Sequence, residues 1–237
     1  FGPTEGETTV RKPLEYYRSL VNYGAGLTAN ARYDEALGVY ATVRDLIGSY
    51  PEGTFPRVDY PLSNELAVRV RLRRTTPADA LLEQRRIVEE HGLQGDPFSG
   101  QNAIAVYQTL AGDAAAAVDL LDSLIAELHA SRREPESSTQ YLLGANRCCA
   151  LRVVGRTELS EAWDDLRPVV ADMLYVIRPY LMRRHDLLSP LFKTTTPVTA
   201  EDVDDYVQGV APSEFGPLWQ NYNRGFRLPE VEFWLEN

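Results

Sequence analysis

A chain of 237 residues with 44% hydrophobic content is long enough to bury a sizeable core, and no apolar run approaches the length needed to cross a bilayer. A formal net charge of -10 argues against a general nucleic-acid binder, because phosphate affinity needs a dominant basic surface; a basic partner suits it better, and many soluble proteins are simply acidic. The only two cysteines, Cys148 and Cys149, are neighbours in a helical stretch, where their side chains point about 100° apart and cannot pair, so both are expected as reduced thiols in a reducing, cytoplasmic compartment.

The start at Phe1, with no basic-then-apolar leader after it, reads as a fragment or a trimmed product. Residues 1–12 are Gly, Thr and Glu-rich without periodicity and read as a loose arm, and Pro13 suits the first turn of a helix.

From there one helical phrase recurs: a small residue followed by an apolar stripe at helical spacing. Its copies are Ala36, Leu37, Tyr40, Val43, Ile47; Ala80, Leu81, Gln84, Ile87, His91; Ala117, Val118, Leu121, Leu124, Leu128; and Ala162, Trp163, Leu166, Val169, Met173. Twelve residues before each phrase alanine stand Gly24, Val68, Ala105 and Ala150, three of them small, as closely packed paired helices require. The second copy is the weakest, with Arg71 and Gln84 where the first has Leu27 and Tyr40.

The first hairpin, with Leu20, Tyr23, Gly24 and Leu27, a turn at Asn30 to Arg32, then Ala36, Tyr40 and Pro51, resembles the tetratricopeptide repeat. That resemblance implies an all-α fold: antiparallel hairpins stacked as a right-handed α-solenoid over residues 13–190, with four hairpins and a trailing helix. The phrase alanines stand 44, 37 and 45 residues apart, beyond the typical period of about 34. The excess falls in connections at Tyr50 to Tyr60 and Ser131 to Ser138.

Turn chemistry supports the hairpins. Thr76, Pro77 and Asp79 read as cap, first position and first-turn acid of a helix, and Gly112 and Gly155 as helix-ending residues. Cys149 falls in register with Tyr23 and Ile104, which predicts a buried packing role. Past Met173 the pattern continues through Leu174, Ile177 and Leu181, with Pro168 and Pro179 expected to kink or divide it. Pro190 bounds this stretch, and Thr199 with Asp202 opens a short acidic helix.

Residues 191–237 form a C-terminal segment rich in aromatics, including Phe215, Trp219, Tyr222, Phe226, Phe233 and Trp234. It reads as a helical, aromatic cap on the last repeat or as a docking surface carried by Trp219, Phe233 and Trp234. The alternation of Val231, Phe233 and Leu235 also fits a short strand.

Strong chemical motifs are missing: there is no HExxH, CxxC, GxSxG or phosphate-loop pattern, and His91, His129 and His185 are far apart in sequence. The acid pairs Glu89/Glu90, Asp164/Asp165 and Asp204/Asp205 read as solvated faces. No catalytic residue, metal ligand or cofactor is therefore expected. Of 24 basic residues only Lys12 and Lys193 are lysine, a bias that suggests a GC-rich, bacterial genome.

In the family it resembles, leading helices line a groove that holds a peptide or partner helix. Counting back from the phrase alanines puts Arg18, Glu65, Arg69, Asn102 and Arg147 on that groove. Val21 and Ala25 stand where chaperone-binding members carry the Lys and Asn of a carboxylate clamp, so that activity is not implied. The expected function is a non-enzymatic scaffold for a protein or peptide segment, without direct nucleic-acid or membrane contact. Two other readings stay open: a ligand- or peptide-sensing regulatory domain of a larger protein, and a helical-array enzyme with an acidic pocket.

Overall fold

The computed structural model describes residues 8–30, 32–91, 97–131 and 137–172, together with Met182, His185, Asp186, Ser189, Phe192 and Lys193. Among the described residues every regular element is a helix. In order they are α1 (Thr8–Ala29), α2 (Tyr33–Gly48), α3 (Asp59–Arg71), α4 (Pro77–His91), α5 (Pro97–Leu110), α6 (Ala114–Ala130), α7 (Ser137–Val154), α8 (Leu159–Asp164) and α9 (Leu166–Asp172). Within the span 13–190 read as one repeat domain, the helices group into two compact units, Phe1–Gly100 and Gln101–Asn237, divided inside α5.

In the first unit α1 and α2 pack as the expected hairpin, α2 packs on α3, and α3 on α4. The first turn closes where Arg32 N donates to Leu27 O at 2.9 Å and Asn30 Nδ2 to Gly26 O at 2.6 Å. Leu27, Ala36, Tyr40 and Val68 form one core cluster. Gly24 is required there: a Cβ at this position would lie 2.7 Å from Tyr40 Cε1, below any normal contact, so the small residue sets how closely α1 and α2 approach. A second cluster joins Tyr17, Val21, Val43 and Phe55. Phe55 comes from the proline-rich connection and stacks on Tyr17 at 4.7 Å. Tyr17 Oη also donates to Pro56 O at 3.1 Å, so the long connection is pinned to the core at both a ring and a carbonyl.

Helix ends follow local chemistry. At the start of α4 Thr76 Oγ1 accepts from Asp79 N at 3.1 Å, the expected cap. α3 ends with Arg73 N donating to Val70 O and Arg74 N to Arg69 O, both at 2.8 Å, which is the Schellman pattern. Arg73 occupies its left-handed position, at φ +55°, where glycine is usual. Gly112 and Gly155 hold the corresponding places after α5 and α7, at φ +94° and +75°.

In the second unit α6 packs on α7, and α7 on α8 and α9. The third phrase is the cleanest, with Ala117, Val118, Leu121, Leu124 and Leu128 all buried along α6. Cys148 and Cys149 are buried in α7 and form no disulfide. Gly144 faces Leu166, whose Cδ2 would be 2.2 Å from a Cβ there.

Several expectations are corrected. α1 reaches back to Thr8, inside the stretch read as a loose arm, so Pro13 lies within the helix and denies the Thr9 carbonyl its usual donor. Tyr23, placed in register with the buried Ile104 and Cys149, is 54% exposed. In the fourth phrase Trp163, Leu166 and Val170 are buried while Ala162 and Val169 are only half-buried, a slip of one residue. The slip accompanies a break at Asp165 between α8 and α9. Pro168 explains it, because its ring clashes with the carbonyl four residues back, that of Asp164. The described helices are thus repeat-like without showing tetratricopeptide repeats. The continuation through Leu174, Ile177 and Leu181 and the aromatic tail at 194–237 lie outside the described residues, as do Pro179 and Pro190.

Candidate partner-binding site

The residues assigned to a groove fall in both units. Arg18, Glu65 and Arg69 belong to the first, Asn102 and Arg147 to the second. Arg18 is exposed on α1, between buried Tyr17 and half-buried Leu20, and forms no ion pair among the described residues. Glu65 and Arg69 are one turn apart on α3, so they share a face of that helix.

Each charged member of the set on α3 and α7 is held by an opposite charge on a neighbouring helix. Glu65 is buried and accepts from Arg44 Nη1 of α2 at 2.6 Å. Arg69 donates from Nη1 to Glu83 Oε1 of α4 at 2.9 Å, with its side chain 28% exposed. Arg147 donates from Nε to Asp122 Oδ1 of α6, with its side chain 22% exposed. These are charge-assisted contacts between elements, so each arginine is oriented by a neighbouring helix. In the two arginine pairs the carboxylate remains within reach of solvent, with Glu83 30% and Asp122 48% exposed.

Asn102 behaves differently. It is 2% exposed, and its Oδ1 accepts from Asn146 Nδ2 at 3.0 Å. A buried amide pair of this kind satisfies two polar groups inside the unit, so Asn102 ties α5 to α7 instead of facing a ligand. Trp219, Phe233 and Trp234, assigned to docking, lie outside the described residues.

Other polar groups are placed for structure. Asp59 is buried at the start of α3, where burial pushes its carboxyl above the usual carboxylate range against the lowering effect of Arg57. Burial also pushes the Cys148 thiol up to about 12, which keeps it protonated and unreactive. The acid pairs Glu89/Glu90 and Asp164/Asp165 are exposed, and His129 with them. Among the described residues no group of three or more His, Cys, Asp or Glu is gathered to hold a metal ion. No described helix is long and apolar enough to cross a membrane.

Two features escaped the sequence reading. The carboxylate partners Glu83 and Asp122 are separated from their arginines by 14 and 25 residues, and no short-range pattern pairs them. His185, which stands isolated in the sequence, is fully buried against Trp163. A signal for it existed: His185, Ser189 and Phe192 fall at helical spacing on one face. No protein-family model, curated protein or solved structure matches the chain.

Proposed function

We propose that the chain is a non-enzymatic, helical interaction domain that binds a protein or peptide segment through arginines on its helix faces. The observation that carries this reading is the state of Arg69 and Arg147, each tethered by one N–H to a partly exposed carboxylate. A guanidinium has five donors in a fixed fork, so a tether of this kind fixes its direction and leaves donors for a ligand carboxylate or backbone carbonyl. The ligand displaces or shares the contact with Glu83 or Asp122 and needs no rearrangement of the helix. Arg18 adds an exposed cation on α1.

The net charge of -10 does not oppose this at physiological salt. Screening over about 8 Å leaves short-range contacts to dominate over the field of the whole molecule.

The test is selection of peptides from a displayed random library against the purified chain, followed by calorimetric titration of the selected sequences. Arg69→Ala or Arg147→Ala is expected to weaken binding roughly tenfold or more, the loss of one charge-assisted hydrogen bond. Glu83→Gln or Asp122→Asn, which frees the guanidinium, is expected to leave affinity unchanged or tighten it. Unchanged affinity in both arginine variants, with their circular dichroism intact, refutes the assignment.

A further inference from the structure

The second unit contains a buried histidine that the proposed binding role does not use. His185 has no exposed surface, and neither Nδ1 nor Nε2 has a hydrogen-bond partner among the described residues. Its ring stacks on Trp163 at 4.4 Å with an interplanar angle of 8°, and Phe192 stacks on the same indole at 4.2 Å and 13°. Both rings therefore lie against the Trp163 indole. Ser189 completes the contact: its Oγ accepts from Trp163 Nε1 at 2.9 Å and donates to His185 O at 3.1 Å.

We propose that His185 is an acid-sensitive latch, whose protonation releases His185, Ser189 and Phe192 from Trp163. A neutral imidazole fits this site as an aromatic ring. An imidazolium brings a charge and a second N–H into a place where the described residues offer no acceptor for either. Attraction between a cationic ring and the indole face opposes release. The charged groups around the site are engaged with one another. Asp186 accepts from Arg167 of α9 at 3.3 Å, and Lys193 meets Asp164 of α8 at 2.9 Å. From α7 the ring of Tyr141 faces His185 edge-on at 6.2 Å.

Burial pushes His185 down to about 4, with Arg167 and Lys193 acting in the same direction and Asp186 and Asp164 against it. The docked state therefore binds fewer protons than the released one. Docking is at full strength above the ordinary histidine value near 6.5, weakens as pH falls from there, and levels off below about 4. The docking equilibrium is expected to fall on the order of a hundredfold across that window.

The test follows the full chain by NMR from pH 7.5 to 3.5. Its three indole N–H resonances are assigned to Trp163 by elimination with Trp219→Phe and Trp234→Phe, and the His185 ring by elimination with His91→Gln and His129→Gln. The expected result is that the Trp163 indole and the His185 ring change together, below the ordinary histidine range. A His185 ring that titrates near the ordinary 6.5, or a Trp163 indole that stays unmoved to pH 3.5, overturns the latch. His185→Phe keeps an aromatic ring that cannot charge, and Trp163 in that variant is expected to stay flat to pH 4.5. The same acid transition in His185→Phe also overturns it, since the carboxylates of Asp164 and Asp186 would then be responsible.

Discussion

Gly144→Ala places a single methyl group against α9 and tests whether the contact of α7 with α9 is as close as described. The new Cβ would lie 2.2 Å from Leu166 Cδ2, 3.3 Å from Cγ and 3.4 Å from Cδ1. Ordinary carbon contacts begin near 3.5 Å, so the nearest methyl must withdraw by roughly 1.3 Å. Leu166 is 6% exposed and stands at the start of α9, which leaves it little free volume to enter. Overpacking of this kind costs about 1–3 kcal/mol, and a contact this short belongs in the upper half of that range. Replacing glycine by alanine inside a helix returns about 1 kcal/mol. The net expectation is a loss of about 1–2 kcal/mol, read from urea denaturation followed by circular dichroism. A cycle with Leu166→Ala isolates the cause. Alone, that substitution leaves a cavity worth about 2–5 kcal/mol, which the methyl group added at position 144 partly refills in the double variant. The double variant should therefore be at least about 1 kcal/mol more stable than the sum of the single effects predicts. Additive effects, or a stabilising Gly144→Ala, would refute the close approach.

Two further outcomes follow from backbone and burial. Arg73 holds a left-handed conformation at the end of α3, so Arg73→Gly is expected to raise stability by about 1 kcal/mol and with it the melting temperature; a lowered melting temperature contradicts that geometry. Cys148 and Cys149 are 1% and 4% exposed, so the native chain at pH 8 should resist a thiol reagent that labels both residues rapidly in urea. One rapidly labelled thiol per native chain contradicts their burial.

The sequence by itself determined the features whose causes lie within a few residues. Thr76 and Pro77 start α4, and Gly112 and Gly155 end α5 and α7, because caps and left-handed turns are decided by local hydrogen bonds and backbone sterics. The apolar stripe of α6 was legible because a helical period shows in seventeen consecutive residues. The close approach at Gly24 was legible for a related reason, a short turn that fixes which faces of α1 and α2 meet, while its partner there, Tyr40, came only from the packing. Only the tertiary structure decided the exposure of Tyr23, since the same apolar ring is buried or bare according to whether another element lies on it. It also decided that Arg69 and Arg147 are tethered by Glu83 and Asp122, that Asn102 is spent on Asn146, and that His185 is enclosed with Trp163 and Phe192. Each of these depends on which helices pack together, and residues brought together by packing from 14 to 44 positions apart leave no periodic trace in the chain.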